Sequence, residues 1–468
     1  MNLYKKVKYI FLVILILSSV SFMAQTNVKL SYESFLDNVL ANNPLSRKAE
    51  NAKKYGSLQY QAARGNYDPM LNGSFENKNF NNTNYYTILN GELKQPIFTS
   101  QFLKMGYEYG IGANINPEQS TSDFGLPFLG LEVGLLQGLV IDSRRANVLK
   151  SKEYVDYYDA ERNIQLNALL FQSSQKYFDW LYSCNVIRLN EYFMNLANQR
   201  LKGVESLSEI GERAAIDTVE AAIYYQTRFL DFQSALIDNQ KQINELNVFN
   251  VSVNFNGNTN YEPADSLPVY FEKMKNTMIQ RLYYDTVVNP VIEQYRSYQN
   301  VLEIEKRLKK EMIKPRLNVN YNLLSNNKTS ANPIFSNNNY KWGANVSFPL
   351  FLRNSRNEYK MSKINAENNN LELTNANNEL NFKINALKQT LKLIGEQLLY
   401  ADKAAKYSKL LVEAEKLKFN NGESSLFMLN TREAKWLESE LKLVEYKLKF
   451  VKTILSLIYL NGNQNYKL

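Results

Sequence analysis

The chain has 468 residues, 44% of them hydrophobic, with 55 basic and 46 acidic side chains, no histidine and one cysteine. The lone Cys184 excludes internal disulfides, and the missing histidine removes the commonest metal ligand and general base, which argues against an enzyme. Acidic and basic residues are interspersed, so the formal charge of +9 reads as solvated helix faces and not as a nucleic-acid patch.

Residues 1–24 carry Lys5, Lys6 and Lys8, then the apolar run 9–17, then small residues. This is the pattern of a secretory signal peptide, and the run is short of the ~20 residues of a spanning helix. No later apolar run reaches that length, so a secreted chain with alternating strands points to the outer membrane or the periplasm. A first helix is expected over 31–64, with Ser31 as its N-cap and a break at Asn43-Pro44; Asp68-Pro69 ends it.

Four strand patterns follow. Residues 71–77 alternate loosely. Residues 87–95 place Leu89, Gly91 and Leu93 on one face and Asn90, Glu92 and Lys94 on the other. Residues 103–113 alternate cleanly, with Leu103, Met105, Tyr107, Tyr109 and Ile111 opposite Lys104, Gly106, Glu108, Gly110 and Gly112. In the last, Leu129, Leu131, Val133 and Leu135 oppose Gly130, Glu132 and Gly134. Asn-rich segments at 79–84 and 114–123 are expected to lie between strands. Apolar-out, polar-in strands of about ten residues are the signature of a membrane barrel.

The stretch 126–221 organises the rest. It starts as the strand LPFLGLEVGLLQGLVID and becomes helix near Ser143. It reads helical for about 65 residues, a rod about 100 Å long, and turns at Gly211. A 4,3 seam runs through Ile164, Ala168, Phe171, Gln175, Phe178, Tyr182, Asn185, Leu189, Tyr192 and Leu196. No proline interrupts the chain between Pro127 and Pro263 or after Pro349, as continuous helix requires. A second helix is expected to about Leu246, then an inter-repeat linker or equatorial segment over 251–284.

The second half repeats the first. Asn43-Pro44 returns as Asn289-Pro290, Pro69 as Pro315, Ser143-Arg144 as Ser355-Arg356, and Gly211-Glu212 as Gly422-Glu423. Two repeats, 25–250 and 285–468, would each read helix, strands, long helix, turn, helix. The offset falls from 246 to 212 between the second and third of these pairs, so the first repeat holds about 34 extra residues, one long hairpin. The second repeat shows two strands, 317–323 and 341–348. Its helices carry heptads at Leu373, Leu380, Ile384, Leu387, Leu391, Ile394 and Leu398, and at Leu437, Leu441, Val444, Leu448, Val451, Leu455 and Ile458. Leu443, Phe450, Ile454 and Leu457 widen the second stripe, so that helix should touch neighbours on two sides.

Six strands cannot close a spanning barrel, and an open sheet edge is not tolerated in lipid. If the strands span, several chains must share one barrel. The expected fold is therefore a mixed α/β membrane protein, an oligomeric transmembrane β-barrel continued by a long coiled-coil α-helical barrel.

In this order, the paired motifs resemble the TolC family of outer-membrane efflux ducts. The carrying residues are Asn43-Pro44, Asn289-Pro290, Pro69-x-Leu71, Pro315-x-Leu317, Phe348-Pro349-Leu350-Phe351 and the turns beginning at Gly211 and Lys418. Residues 135–145 resemble a variant common in Bacteroidota. The resemblance implies a homotrimer in the outer membrane whose helical end reaches into the periplasm. There it would meet an adaptor protein docked on an inner-membrane pump, for efflux or type I secretion, with no cofactor and no catalysis of its own. It implies adaptor contact at the tip, for which Gly211, Ala214, Ala215, Gly422, Ser424, Ser425 and Leu426 are the candidates. It also implies a periplasmic gate, for which Glu209, Asp217, Glu423, Phe427 and Met428 are the candidates. The second turn lacks the aspartates that some members carry at the constriction. With the extra hairpin in the barrel, a trimer would hold eighteen strands, against the family's usual twelve. The alternative reading is a periplasmic or surface structural coiled-coil protein with a soluble sheet.

Overall fold

The computed structural model describes residues 28–97, 99–250, 261–284, 289–325, 334–462 and 466. The signal-peptide expectation falls outside the described residues. In chain order the elements are β1 (Val28–Leu30), α1 (Tyr32–Asn42), α2 (Pro44–Arg64), β2 (Met70–Phe80), β3 (Thr83–Pro96), β4 (Gln101–Ile111) and β5 (Leu126–Gly134). Then come α3 (Ser143–Glu209), α4 (Ala215–Asn247), β6 (Tyr261–Pro263), α5 (Leu267–Tyr284) and α6 (Pro290–Glu311). The chain closes with β7 (Arg316–Ser325), β8 (Phe335–Ser347), α7 (Arg353–Asn420) and α8 (Leu426–Leu460). No helix among the described residues is long and apolar enough to cross a membrane.

The first helix begins and breaks where its residues dictate. Ser31 and Ser34 form a capping box, and Asn43 ends α1 while capping α2 by accepting from the Leu45 amide at 2.9 Å. Asn289 repeats the device for α6, accepting from Val291 at 2.9 Å.

Six strands form one antiparallel meander in the order β2-β3-β4-β5-β7-β8. The extra hairpin β4–β5 therefore sits in the middle of the sheet, and β5 of the first repeat pairs with β7 of the second. Two local expectations change. The Asn-rich stretch 79–84 is mostly strand: Asn79 and Phe80 pair with Asn84 and Thr83 across a two-residue turn, Asn81-Asn82, both at positive φ. This is the mirror-image turn that matches strand twist, and asparagine tolerates it. The strand expected to run into the long helix stops at Gly134; the chain then bends through Gly138, at φ 86°, before Asp142 caps α3.

The long helices pack side by side. Over its first turns α3 is flanked by α2 and α6, through ion pairs Arg162–Glu50 and Lys150–Glu305. Further along it is flanked by α4 and α8, through Lys176–Glu245 and Asp179–Lys452. With α7 packed on both α6 and α8, the lateral order is α2-α3-α6-α7 near the sheet and α4-α3-α8-α7 away from it. The expected seam on α3 is mostly half-buried; only Phe178 and Asn185 of it are fully enclosed. Leu166, Leu170, Tyr177, Trp180 and Leu181 are buried instead. A helix with neighbours on opposite flanks and an equatorial cluster on a third side does not keep one heptad stripe. On α8 the broad stripe holds: Val444, Leu448, Val451, Leu455 and Ile458 are buried together with Leu443, Phe450, Ile454 and Leu457.

The main core lies at this crossing. There β1 pairs in parallel with β6, and α1 and α5 pack an aromatic cluster of Tyr32, Phe35, Tyr177, Phe178, Trp180 and Tyr270. The Tyr177 hydroxyl donates to the Leu30 carbonyl at 3.0 Å, tying β1 to the long helix.

Candidate functional site

Two regions hold the residues singled out from the sequence: the sheet and the far helical turns. Successive strand side chains point to opposite faces. One face of the sheet is apolar across all six strands. Cross-strand rows run Leu71–Leu93–Met105–Leu129–Leu323–Tyr340 and Leu103–Leu131–Tyr321–Trp342. Many of these side chains are exposed in the protomer, Leu71 at 81%, Phe75 at 67% and Trp342 at 65%. The inserted strands β4 and β5 carry the same face as their neighbours.

The other face is polar. Lys94 and Lys104, directly opposed in the register, both pair with Glu132, at 2.9 and 2.6 Å. The Lys94 ammonium also lies 4.0 Å from the Phe102 ring, and Arg144 of α3 sits 4.1 Å from the same ring while pairing with Asp142. This cluster anchors the start of the long helix to the polar side of the sheet. Charged groups in mutual contact on one face, with bare hydrocarbon on the other, suit a wall between lipid and a water-filled lumen.

At the far end the two turns are built alike. Gly211 and Gly422 adopt φ of 80° and 81°. The amides of Glu212 and Glu423 reach back to the carbonyls of Leu207 and Lys418, each at 2.9 Å, the wide hydrogen bond of a Schellman ending. A Cβ at either glycine would meet nothing within 4 Å, so the requirement is conformational and not steric. The following helices start differently. Ser425 caps α8 by accepting from the Met428 amide at 3.3 Å, whereas Ala214 gives α4 no side-chain cap.

The two tips are locked side by side. Val204, Ala221 and Leu426 form a small core with Leu201 and Phe419, and the Arg213 guanidinium stacks 4.6 Å from the Phe419 ring. Two turns up, Arg200 makes a two-pronged ion pair with Glu433 and donates to Asn430 at 2.8 Å. Glu433 is 1% exposed. Burial pushes the nearby Tyr224 hydroxyl up to about 12, with the Glu433 charge adding to it.

Of the expected docking residues, Gly211, Ala214, Ala215, Gly422 and Ser425 are exposed and close together at the tip. Ser424 is half-buried and donates to Glu415 at 2.5 Å. Leu426 is placed in the tip core at 3% exposure, where it closes the gap between the two turns. Of the gate residues, Glu209, Glu423, Phe427 and Met428 are exposed, Phe427 at 66%, and Asp217 lies half-buried in the first turn of α4.

The sequence reading missed the lateral edges. On α4 a stripe of Ile216, Val219, Ile223, Leu230 and Ile237 is exposed at heptad spacing. On α7, at the opposite edge, Phe382, Leu393, Tyr400, Tyr407, Leu410 and Leu417 do the same. The sheet ends in β2 and β8, of which β2 follows α2 in the chain and β8 leads into α7. Spacing could have revealed the α4 stripe, because Gln226 and Gln233 merely interrupt it.

No protein-family model and no curated protein sequence matches the chain. Solved structures match its fold. The outer membrane channel CmeC of Campylobacter jejuni superposes with a TM-score of 0.64 at 13% identity, covering 93% of this chain and 87% of that one. The outer membrane protein VceC of Vibrio cholerae gives 0.63 at 11% identity, covering 92% and 95%. The open state of the MtrE outer membrane channel of Neisseria gonorrhoeae gives 0.63 at 12% identity, covering 92% and 89%. The fold is that of the TolC-family outer-membrane channels.

Proposed function

We propose that the protein is an outer-membrane duct that carries solutes from a periplasmic adaptor and inner-membrane pump to the exterior, in efflux or type I secretion, and that it works as a homotrimer. It performs no catalysis; the pump supplies the energy. The observation that carries this reading is the pair of unclosed lateral edges. The sheet ends in edge strands β2 and β8, and the helical layer ends in α4 and α7, each with an exposed apolar stripe. Edges of this kind are head-to-tail complements, and repetition of one such contact generates a ring. In lipid the ring must close, because unpaired strand edges are not tolerated there.

Three copies give eighteen strands and twelve helices per level. Strands about 4.8 Å apart and tilted about 45° each take about 6.8 Å of circumference, so eighteen span about 120 Å. Twelve helices about 10 Å apart also span about 120 Å, so barrel and tube match in width.

The test is extraction in detergent followed by mass measurement and planar-bilayer recording. A trimer that conducts is expected. A monodisperse monomer with intact β-structure would sink the proposal, and a trimer without conductance would favour a structural coiled-coil protein.

A further inference from the structure

We infer that the β4–β5 connection, residues 112–125, folds back over the inner wall of the barrel and sets the calibre of its outer mouth. This rests on the barrel reading above. Gly110 shares its parity with Lys104, Gly106 and Glu108, so it lies on the polar, lumenal face of β4. A Cβ built there would come within 2.1 Å of the Gln119 carbonyl oxygen and 2.9 Å of Ile115 Cδ1. The loop therefore lies directly against the inner surface of the strand.

Its position is held at both ends. The Ala113 and Asn114 amides donate to the Asn84 and Tyr85 carbonyls, at 3.2 and 3.0 Å, carrying β4 past its last regular residue before the chain turns inward. Gly112 makes that bend at φ 147°, where a Cβ would lie 2.4 Å from the Tyr85 carbonyl oxygen. On the return, the Thr121 amide donates to the Gly110 carbonyl at 2.9 Å and its hydroxyl accepts from the Gly110 amide at 3.1 Å. Gly125, at φ 67°, then fits against the outward-facing Tyr107 ring, whose hydroxyl donates to the Phe124 carbonyl at 3.1 Å. The segment straddles the rim: 115–119 inside, 124–125 outside. Three glycines at positions that admit no side chain are needed to hold it so. A connection standing free above the barrel would require none of them.

The consequence is functional. A circumference of about 120 Å corresponds to an opening about 38 Å across between backbones. Three inward loops narrow it where solute leaves, so Ile115 and Gln119 become determinants of the largest species that passes.

The experiment uses the full-length trimer in planar bilayers. Replacing residues 115–120 by Gly-Gly should raise single-channel conductance when the tip is open, because residues lining a constriction set what passes it. In a second variant, Gln119→Cys, a bulky water-soluble thiol reagent added from the outer side should lower conductance. The native Cys184 lies on α3, half-buried, with burial pushing its thiol up to about 11, and the same reagent applied to the unsubstituted trimer is the control for it. Wild-type conductance in both the shortened and the labelled proteins would overturn the inference while leaving the duct intact. Absence of any conductance from the unmodified trimer would instead overturn the duct reading, and the loop's role with it.

Discussion

The side-chain amide of Asn289 donates to the carbonyl of Leu460 at 2.7 Å, joining the start of α6 to the last turn of α8. Asn43 makes the corresponding bond to Phe249 at 3.3 Å, at the end of α4. Each asparagine thus caps the helix that climbs to the sheet and satisfies a carbonyl at the end of the helix that returns from the tip. Replacing either by alanine removes a cap and strands a carbonyl, which should cost about 1–2 kcal/mol each. Thermal melts of the assembled protein should show both losses, and aspartate should restore the cap but not the cross-link.

The Arg200–Glu433 pair is nearly dry, so removing one partner leaves a buried charge. Glu433→Leu alone should destabilise the helical tube by about 3–5 kcal/mol. The double variant Arg200→Met, Glu433→Leu should recover most of that loss. Two single losses that simply add in the double variant would show that the pair is not coupled.

Alkaline pH should dissolve the helical core. Burial holds the hydroxyls of Tyr32, Tyr177 and Tyr466 well above their ordinary value of 10, and that of Tyr224 at about 12. The folded state keeps protons that the unfolded chain releases above pH 10. The stability from these groups is therefore complete below pH 10 and falls progressively above it, the Tyr224 contribution being lost through about pH 12 and those of the other three at still higher pH. Circular-dichroism melts should be flat from about pH 8 to 10 and fall beyond it. A melting temperature unchanged to pH 12 would contradict this.

At the tip, Ala215→Trp should abolish efflux with trimer levels in the outer membrane unchanged, because Ala215 is exposed and holds no core contact. Parallel loss of trimer and efflux would make the position structural. Gly211→Ala should instead cost about 1–2 kcal/mol through its left-handed backbone alone.

Much of this architecture was legible in the sequence because it is periodic. Strand alternation around Leu103 and Leu129, the paired Asn-Pro breaks and the two Gly-Glu turns each express a local rule, and the structure places elements where they point. What was not legible depends on neighbours. The seam read on α3 was diluted because α2, α4, α6 and α8 all claim faces of that helix. Leu426 looked like a surface residue because the turn preceding it is polar, yet the adjacent tip covers it. Asn81-Asn82 looked like part of a loop because no single residue announces a two-residue turn when both are asparagine.

In the proposed assembly the six strands of each copy close with those of two other copies. Electron cryo-microscopy of the detergent-extracted protein tests this most directly. The expected image is a trimer with eighteen membrane strands, β2 of each copy paired with β8 of the next and α4 against the neighbouring α7. A trimer with twelve membrane strands and residues 101–111 outside the bilayer, or a monomer with a free sheet, would contradict it.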